Sequence, residues 1–359
     1  MFQRKYLVFL AATFLLALLW TGGWFWLANK LRTDIDNFVV QERANGVNLE
    51  WDRLRISGFP IRFDTTFTSP RGELTNDEQI ILWTGADTAI RPFAEGAGIV
   101  SFRAPGEHRF ERRFQHGDKA VAGSLVTRSE DFQGRVEFDN SGRLRGLRGQ
   151  AEPLQLSLDN GPNIAIARAA FDWSNATVPG GTDALHPDPL GQSVAMIVTG
   201  IDLTALPLDR DVVKTLGPTI ENLSGRLALR GQLDPTRITA ENLAQWRDAG
   251  GTLEVENLEL RWGSLRFAGS GTLSVDDKLQ PVGAFSARVS GLNQLIEMLE
   301  QRGQIRPQQA AIARIAVAVL TRNPANGGPP EAKVPVTIQD RVVSIGPVPL
   351  LKFDPVNWD

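Results

Sequence analysis

The sequence predicts a mainly β (β-rich α+β) fold. It takes the form of an extended antiparallel sheet or sandwich with a few packing helices, preceded by one N-terminal transmembrane helix. Three observations predict it. Apolar and polar residues alternate with the period of a strand through most of the 359 residues. Turn signals such as Asp139-Asn140-Ser141-Gly142, Asp159-Asn160-Gly161-Pro162 and Asp276-Asp277 punctuate the apolar runs at short intervals. The chain also opens on a charge-free run, YLVFLAATFLLALLWTGGWFWL, Tyr6 to Leu27.

That run comes first. Roughly 20 apolar residues cross a bilayer as a helix, whereas a cleaved signal needs an apolar region of only roughly 7 to 15. Phe25 and Trp26 stand where a cleavage site wants small residues, and Trp20, Trp24 and Trp26 crowd the end that meets the interface. The reading is an uncleaved signal anchor at 6–27 with a cytoplasmic tail at 1–5. Arg4 and Lys5 hold the tail inside, so the rest faces outward, into the periplasm of a Gram-negative cell. Localisation is thus single-pass in the inner membrane, with the bulk of the chain periplasmic. Residues 28–46 follow as a stalk helix, with Leu31, Ile35, Phe38 and Val39 at helical spacing and Gly46 as the stop.

Residues 47–359 form the exported β-rich domain, with two halves expected to meet near residue 180. Val47, Leu49 and Trp51 alternate, and Ile61, Phe63, Thr65 and Phe67 resume after Gly58-Phe59-Pro60, so two strands are joined by a sharp bend. Pro179 to Gln192 and Asn323 to Ala332, rich in Pro and Gly, read as flexible loops. Helices are expected at Ala240 to Ala249 behind the cap Thr239, at Leu292 to Gln301, and from Pro307 to Leu320. The last would pack on the sheet through Ala311, Ile312, Ile315, Val319 and Leu320. KVPVTIQDRVVSIGPVPLL closes the chain as a hairpin turning at Gln339-Asp340.

The segment GGTLEVENLELRWGSLRFAGSGTLSVDD, from Gly250, carries the clearest pattern. Leu253 and Val255 share one parity and Leu258, Leu260 and Trp262 the other, before Leu265 and Phe267 resume it. A bulge between Val255 and Leu258 would bring all of these onto one apolar sheet face.

Composition excludes more than it assigns. A net charge of −3 with 22% charged residues gives no field for nucleic acid, and 42% hydrophobic content supports a real core. With no cysteine there are no disulfides, thiolate chemistry or Cys-bound zinc. Only His108, His116 and His186 are available, and no nucleophile elbow, phosphate loop or zinc-protease motif occurs. No catalytic residue, cofactor or metal ligand is assigned. Ser101 to Lys119 is locally basic: Arg103, His108, Arg109, Arg112 and Arg113 alternate with Phe102, Phe110 and Phe114. One reading is an anion or lipid head-group patch, since guanidinium forks pair with phosphate. A weaker one is a metal held by His108, Glu111 and His116. The third is an exposed hairpin whose charges neutralise one another while the phenylalanines face the core.

The anchor ending in Trp, the ISGFPIRF segment, WRDAGGTLEVENLELRWG, GSGTLSVDD followed by Gln280-Pro281-Val282-Gly283, and the closing VVSIGPVPL together resemble the bacterial "domain of unknown function 2125" family over nearly the whole chain. That resemblance implies an inner-membrane-anchored exported protein and carries no catalytic residues across. More distantly, the GFP bend and the G-x-L-x-V strands are similar to AsmA-like envelope proteins, which implies outer-membrane assembly or phospholipid movement along a β groove. The expectation is a non-catalytic periplasmic protein that binds or shields lipid or supports the envelope. Its partners would be the membrane through Tyr6 to Leu27, phospholipid and envelope proteins, with no nucleic acid. The alternatives are a structural or protein-interaction module with an ordinary filled core and, third, an unrecognised enzyme.

Overall fold

The computed structural model describes residues 2–75, 79–92, 95–114, 123–159, 161–175, 191–208, 210–231, 233, 238–303, 305–322, 330–345 and 348–358, with backbone alone at 2–12, 79, 114, 345 and 348–351. Most of both expected flexible loops lies outside these residues, as does the boundary expected near 180. The chain divides elsewhere: Met1–Val136 with Leu156–Gly161 forms one compact unit, and Glu137–Gln155 with Pro162–Asp359 the other.

The first unit begins with α1 (Phe2–Ala44). The stretches expected as anchor and stalk are thus one continuous helix. Its better-covered residues are Thr21, Trp24, Ala28, Leu31, Ile35, Val39 and Glu42, a stripe at spacings of three and four. The stretch expected to be a stalk therefore lays one side along its own unit, while Phe38 points out. Among the described residues no helix is long and apolar enough to cross a membrane. The side chains at 6–12, the first third of the apolar run, fall outside them.

Nine strands follow: β1 (Val47–Glu50), β2 (Arg53–Ser57), β3 (Asp64–Thr68), β4 (Arg71–Thr75), β5 (Gln79–Gly85), β6 (Thr88–Pro92), β7 (Ile99–Arg103), β8 (Gly106–Phe114) and β9 (Gly123–Phe138). One ladder runs β1–β4–β5–β8–β9. The other runs β2–β3–β6–β7–β9. Read together, these are five long antiparallel strands of a meander, the first four interrupted at one level by two-residue joints: Trp51-Asp52, Ser69-Pro70, Ala86-Asp87 and Ala104-Pro105. Proline cannot donate to a ladder, so two joints break there, and Gly106 at φ +114 starts the next run. The main-chain bonds Asp52 N to Thr68 O, Gly85 N to Pro70 O, Ala86 N to Glu107 O and Ala104 N to Phe132 O stitch the joints side by side. The basic segment is therefore no hairpin: β7 and β8 continue one strand, each pairing with different neighbours.

The second unit takes in β10 (Leu144–Leu158) in part, then β11 (Ile164–Asn175), β12 (Gly191–Asp202), α2 (Arg210–Leu216), β13 (Thr219–Arg230), α3 (Ala240–Asp248), β14 (Thr252–Trp262), β15 (Leu265–Val275), β16 (Pro281–Ser290), α4 (Leu292–Gln301), α5 (Pro307–Leu320), β17 (Thr321–Arg322), β18 (Glu331–Gln339), β19 (Val342–Ile345) and β20 (Val348–Lys352). β11 to β16 pair in sequence, β16 then pairs with β18, and β18, β19 and β20 complete an antiparallel meander of nine strands. The hairpin expected at the end turns on Asp340-Arg341, both at positive φ as a tight two-residue turn requires.

Three helices stand where the sequence puts them. Thr239 caps α3 by accepting from Asn242 N at 3.3 Å, and Gly250 at φ +80 follows its end. The packing of α5 differs from expectation. Its covered side is Ala310, Ala313, Arg314 and Val317, and Ile312, Ile315 and Val319 are exposed. The small alanine side permits close approach, and Arg314 reaches Glu300 of α4 at 2.5 Å from it. The seven-residue α2 was not expected at all.

Candidate functional site

The most extensive chemical feature is the apolar face of the second unit's sheet. Across β14 and β15, Leu253 opposes Leu273, Val255 Gly271, Leu258 Gly269, Leu260 Phe267 and Trp262 Leu265, with the register shifting between Val255 and Leu258. On the other side Leu253, Val255, Leu258 and Leu260 oppose Leu229, Leu227, Gly225 and Leu223 of β13, and here too the register shifts. The extra residue absorbs the parity change, so Leu253, Val255, Leu258, Leu260, Trp262, Leu265 and Phe267 share one face, as the alternation predicted. Register carries the face further, to Trp173, Phe171, Val194, Met196 and Val198 on one side and to Val289, Ala287, Phe285, Val334 and Val336 on the other. The reverse face carries Arg226, Arg230, Glu254, Glu259, Arg261 and Arg266, with Arg230 bridging Glu254 at 3.0 Å.

Helices cover the two ends of that face. At one end Leu243 and Trp246 of α3 pack with Val275, Leu229, Leu233, Leu279 and Trp358, and the Trp246 indole donates to Arg230 O at 2.6 Å. At the other, Trp262 Nε1 donates to Gly217 O, just past α2, at 2.9 Å. Between them lies a contiguous set of open aliphatics: Val194, Met196, Leu227 and Leu258, 41, 45, 42 and 37% exposed. Beside them the face is made shallow by glycine. A Cβ on Gly271 would meet the Phe285 ring at 2.3 Å and one on Gly269 the Phe267 ring at 3.0 Å, so both rings lie flat over the sheet. Val194 and Met196 were visible in the sequence as the alternation SVAMIV, but only the register with β13 brings them beside Leu227 and Leu258.

The basic segment resolves differently. His108 is buried; its ring is parallel to Trp83 at 6.1 Å, edge-on to Phe132 at 5.9 Å, and its Nε2 donates to Ala104 O at 2.8 Å. It is a core residue, which removes it from the head-group patch and from any metal triad; among the described residues no cluster fit to hold a metal occurs. His116 and His186 lie outside the described residues. Residues of β8 alternate faces, so Arg109 and Arg113 share a face with Glu107 and Glu111, and Arg112 is on the opposite one with Phe110, itself exposed. Arg109 pairs with Glu107 at 3.6 Å, Arg113 with Glu111 at 2.9 Å and Arg103 with Asp131 at 3.3 Å. The neutralised strand face is what forms, and the five residues do not converge.

Elsewhere the marked electrostatics are local. Asp139 accepts from Ser141 Oγ at 2.7 Å and from the main-chain N–H groups of Ser141 and Arg143 at 2.9 Å, which lowers its carboxyl to about 2. This is a turn lock at the end of β9 and not a reacting group.

Residues 24–354 match the model of a family described as an uncharacterized protein conserved in bacteria, DUF2125. The chain belongs to this family. The match takes in every described strand and begins at Trp24, within α1. No curated protein matches this DUF2125 chain.

Proposed function

We propose that this DUF2125 protein is a non-catalytic, membrane-anchored periplasmic protein whose second unit binds or shields phospholipid acyl chain on its apolar sheet face, in service of envelope maintenance. The observation that carries the reading is the open set Val194, Met196, Leu227 and Leu258 on a face that is otherwise apolar from β11 to β18. Apolar patches of this kind on a protein's own surface mark places where something apolar docks. The charge-free run Tyr6 to Leu27 supports the membrane, and Arg4 and Lys5 the orientation.

The test uses the full chain in vesicles containing a phospholipid with a photoreactive acyl chain. Crosslinks should fall on β12, β13 and β14 as well as on α1. They should disappear from the sheet in Met196→Asp/Leu227→Asp, whose side chains are open enough for the fold to persist. Crosslinks confined to α1 in the parent protein would sink the lipid reading and leave the interaction-module alternative.

A further inference from the structure

We infer that the β2–β3 loop, residues 58–63, is a second membrane-contacting element that enters the outer leaflet of the bilayer beside α1. The inference rests on the proposed anchor and adds to it a specific surface.

Two tryptophans of α1 fix the loop's height along the helix. Trp20 Nε1 donates to Pro60 O at 3.0 Å and Trp24 Nε1 to Arg62 O at 3.1 Å. Trp24 is stacked on Phe63 at 5.2 Å and meets Phe59 edge-on at 5.5 Å, while Phe25 stacks on Phe59 at 6.0 Å. The loop is closed on itself: Ile61 N and Arg62 N both donate to Gly58 O, and Gly58, at φ +104, leaves no room for a Cβ against Arg62 O. Its tip is therefore held in place, not merely draped.

The depth follows from helix rise. Pro60 is level with Trp20, seven residues before the apolar run ends at Leu27, or about 10 Å along the axis. A span that includes Trp20 to Leu27 places the tip at that same depth. The chemistry of the tip agrees: Phe59, Pro60 and Ile61 carry no charge, and Phe59 and Ile61 are 49 and 78% exposed, beside the exposed Trp20, Phe25 and Trp26 of α1. Arg62, exposed just above the tip, and Arg32, whose Nη2 reaches Leu54 O at 3.3 Å, supply cations where phosphates of the head groups would lie. Indoles and a wet guanidinium above an apolar tip form the composition of a membrane interface. The partner is thus the bilayer that α1 crosses, contacted on its outer leaflet.

The chain has no cysteine, so single cysteines carry a polarity-sensitive fluorophore without background. In the full chain reconstituted in phosphatidylcholine–phosphatidylglycerol vesicles, Ile61→Cys should emit blue-shifted and be quenched by lipids bearing a nitroxide partway down the acyl chain. Phe14→Cys reports the anchor and should be quenched most by a deep one. Quenching at 14 with none at 61 would overturn the loop inference and leave the anchor standing. Quenching at neither would overturn both, and a blue shift at 61 without nitroxide quenching would mean that protein, not lipid, covers the tip.

Discussion

At His108 the imidazole is enclosed by Trp83 and Phe132 and bonded to Ala104 O, while at Arg109 the next side chain leaves the strand on the wet side and meets Glu107. The two substitutions should behave oppositely. His108→Ala removes buried ring contacts and orphans a main-chain acceptor and is expected to cost about 2–4 kcal/mol. Arg109→Ala breaks an exposed pair and should stay within about 0.5 kcal/mol. Urea unfolding of both variants checks this, and equal losses would contradict the assigned faces. The alternation of the segment was legible in the sequence, but the sequence could not say which parity faced in, because Phe110 and His108 share it and only one of them is buried. Asp139 gives a pH-dependent counterpart. Its carboxyl is lowered to about 2 by Ser141 and Arg143, so its contribution is present above the ordinary value of about 4 and is lost as pH falls through about 2. Protection of the Ser141 and Arg143 amides, taken relative to their intrinsic exchange rates, should therefore fall over that interval, and Asp139→Asn should remove that fall.

At the scale of elements, ends were easier to read than faces. Thr239, Pro307 and Gly303 bound their helices by local chemistry, since capping and φ preference act within a few residues. Which side of α5 packs is decided by what it packs against. Arg314 is drawn inward by Glu300, fourteen residues away, and the close approach this demands selects alanine over isoleucine. The joints of the first unit were half legible. Pro70 and Pro105 announce breaks, but that four breaks stand level with one another is a property of the pairing, and the sequence of any one strand does not contain it. Short α2 was missed because seven residues, RDVVKTL, show barely two turns of periodicity.

At the scale of the whole molecule, the β-rich class, the antiparallel connectivity of the second unit and the apolar face from Leu253 to Phe267 were all legible, because neighbouring strands of a meander lie close in sequence. The division between units was not, since it falls inside the long strands β9, at Val136, and β10, at Gln155, and not at a turn between elements. The register of the nine-strand meander has one further consequence. In β14, Glu256 and Asn257 occupy the space that one residue of β13 spans, so one of them is surplus to the ladder. Removing Glu256 would let Val255, Leu258 and Leu260 alternate without interruption and keep every apolar side chain on its present side. Removing Glu254 instead would shift Leu253 and its predecessors out of phase and turn them over. Of these two in-frame deletions in a central strand, the first should give soluble protein with a cooperative melt and the second should not. Codon loss, ordinarily ruinous in a sheet, has a tolerated address here, at the bulge.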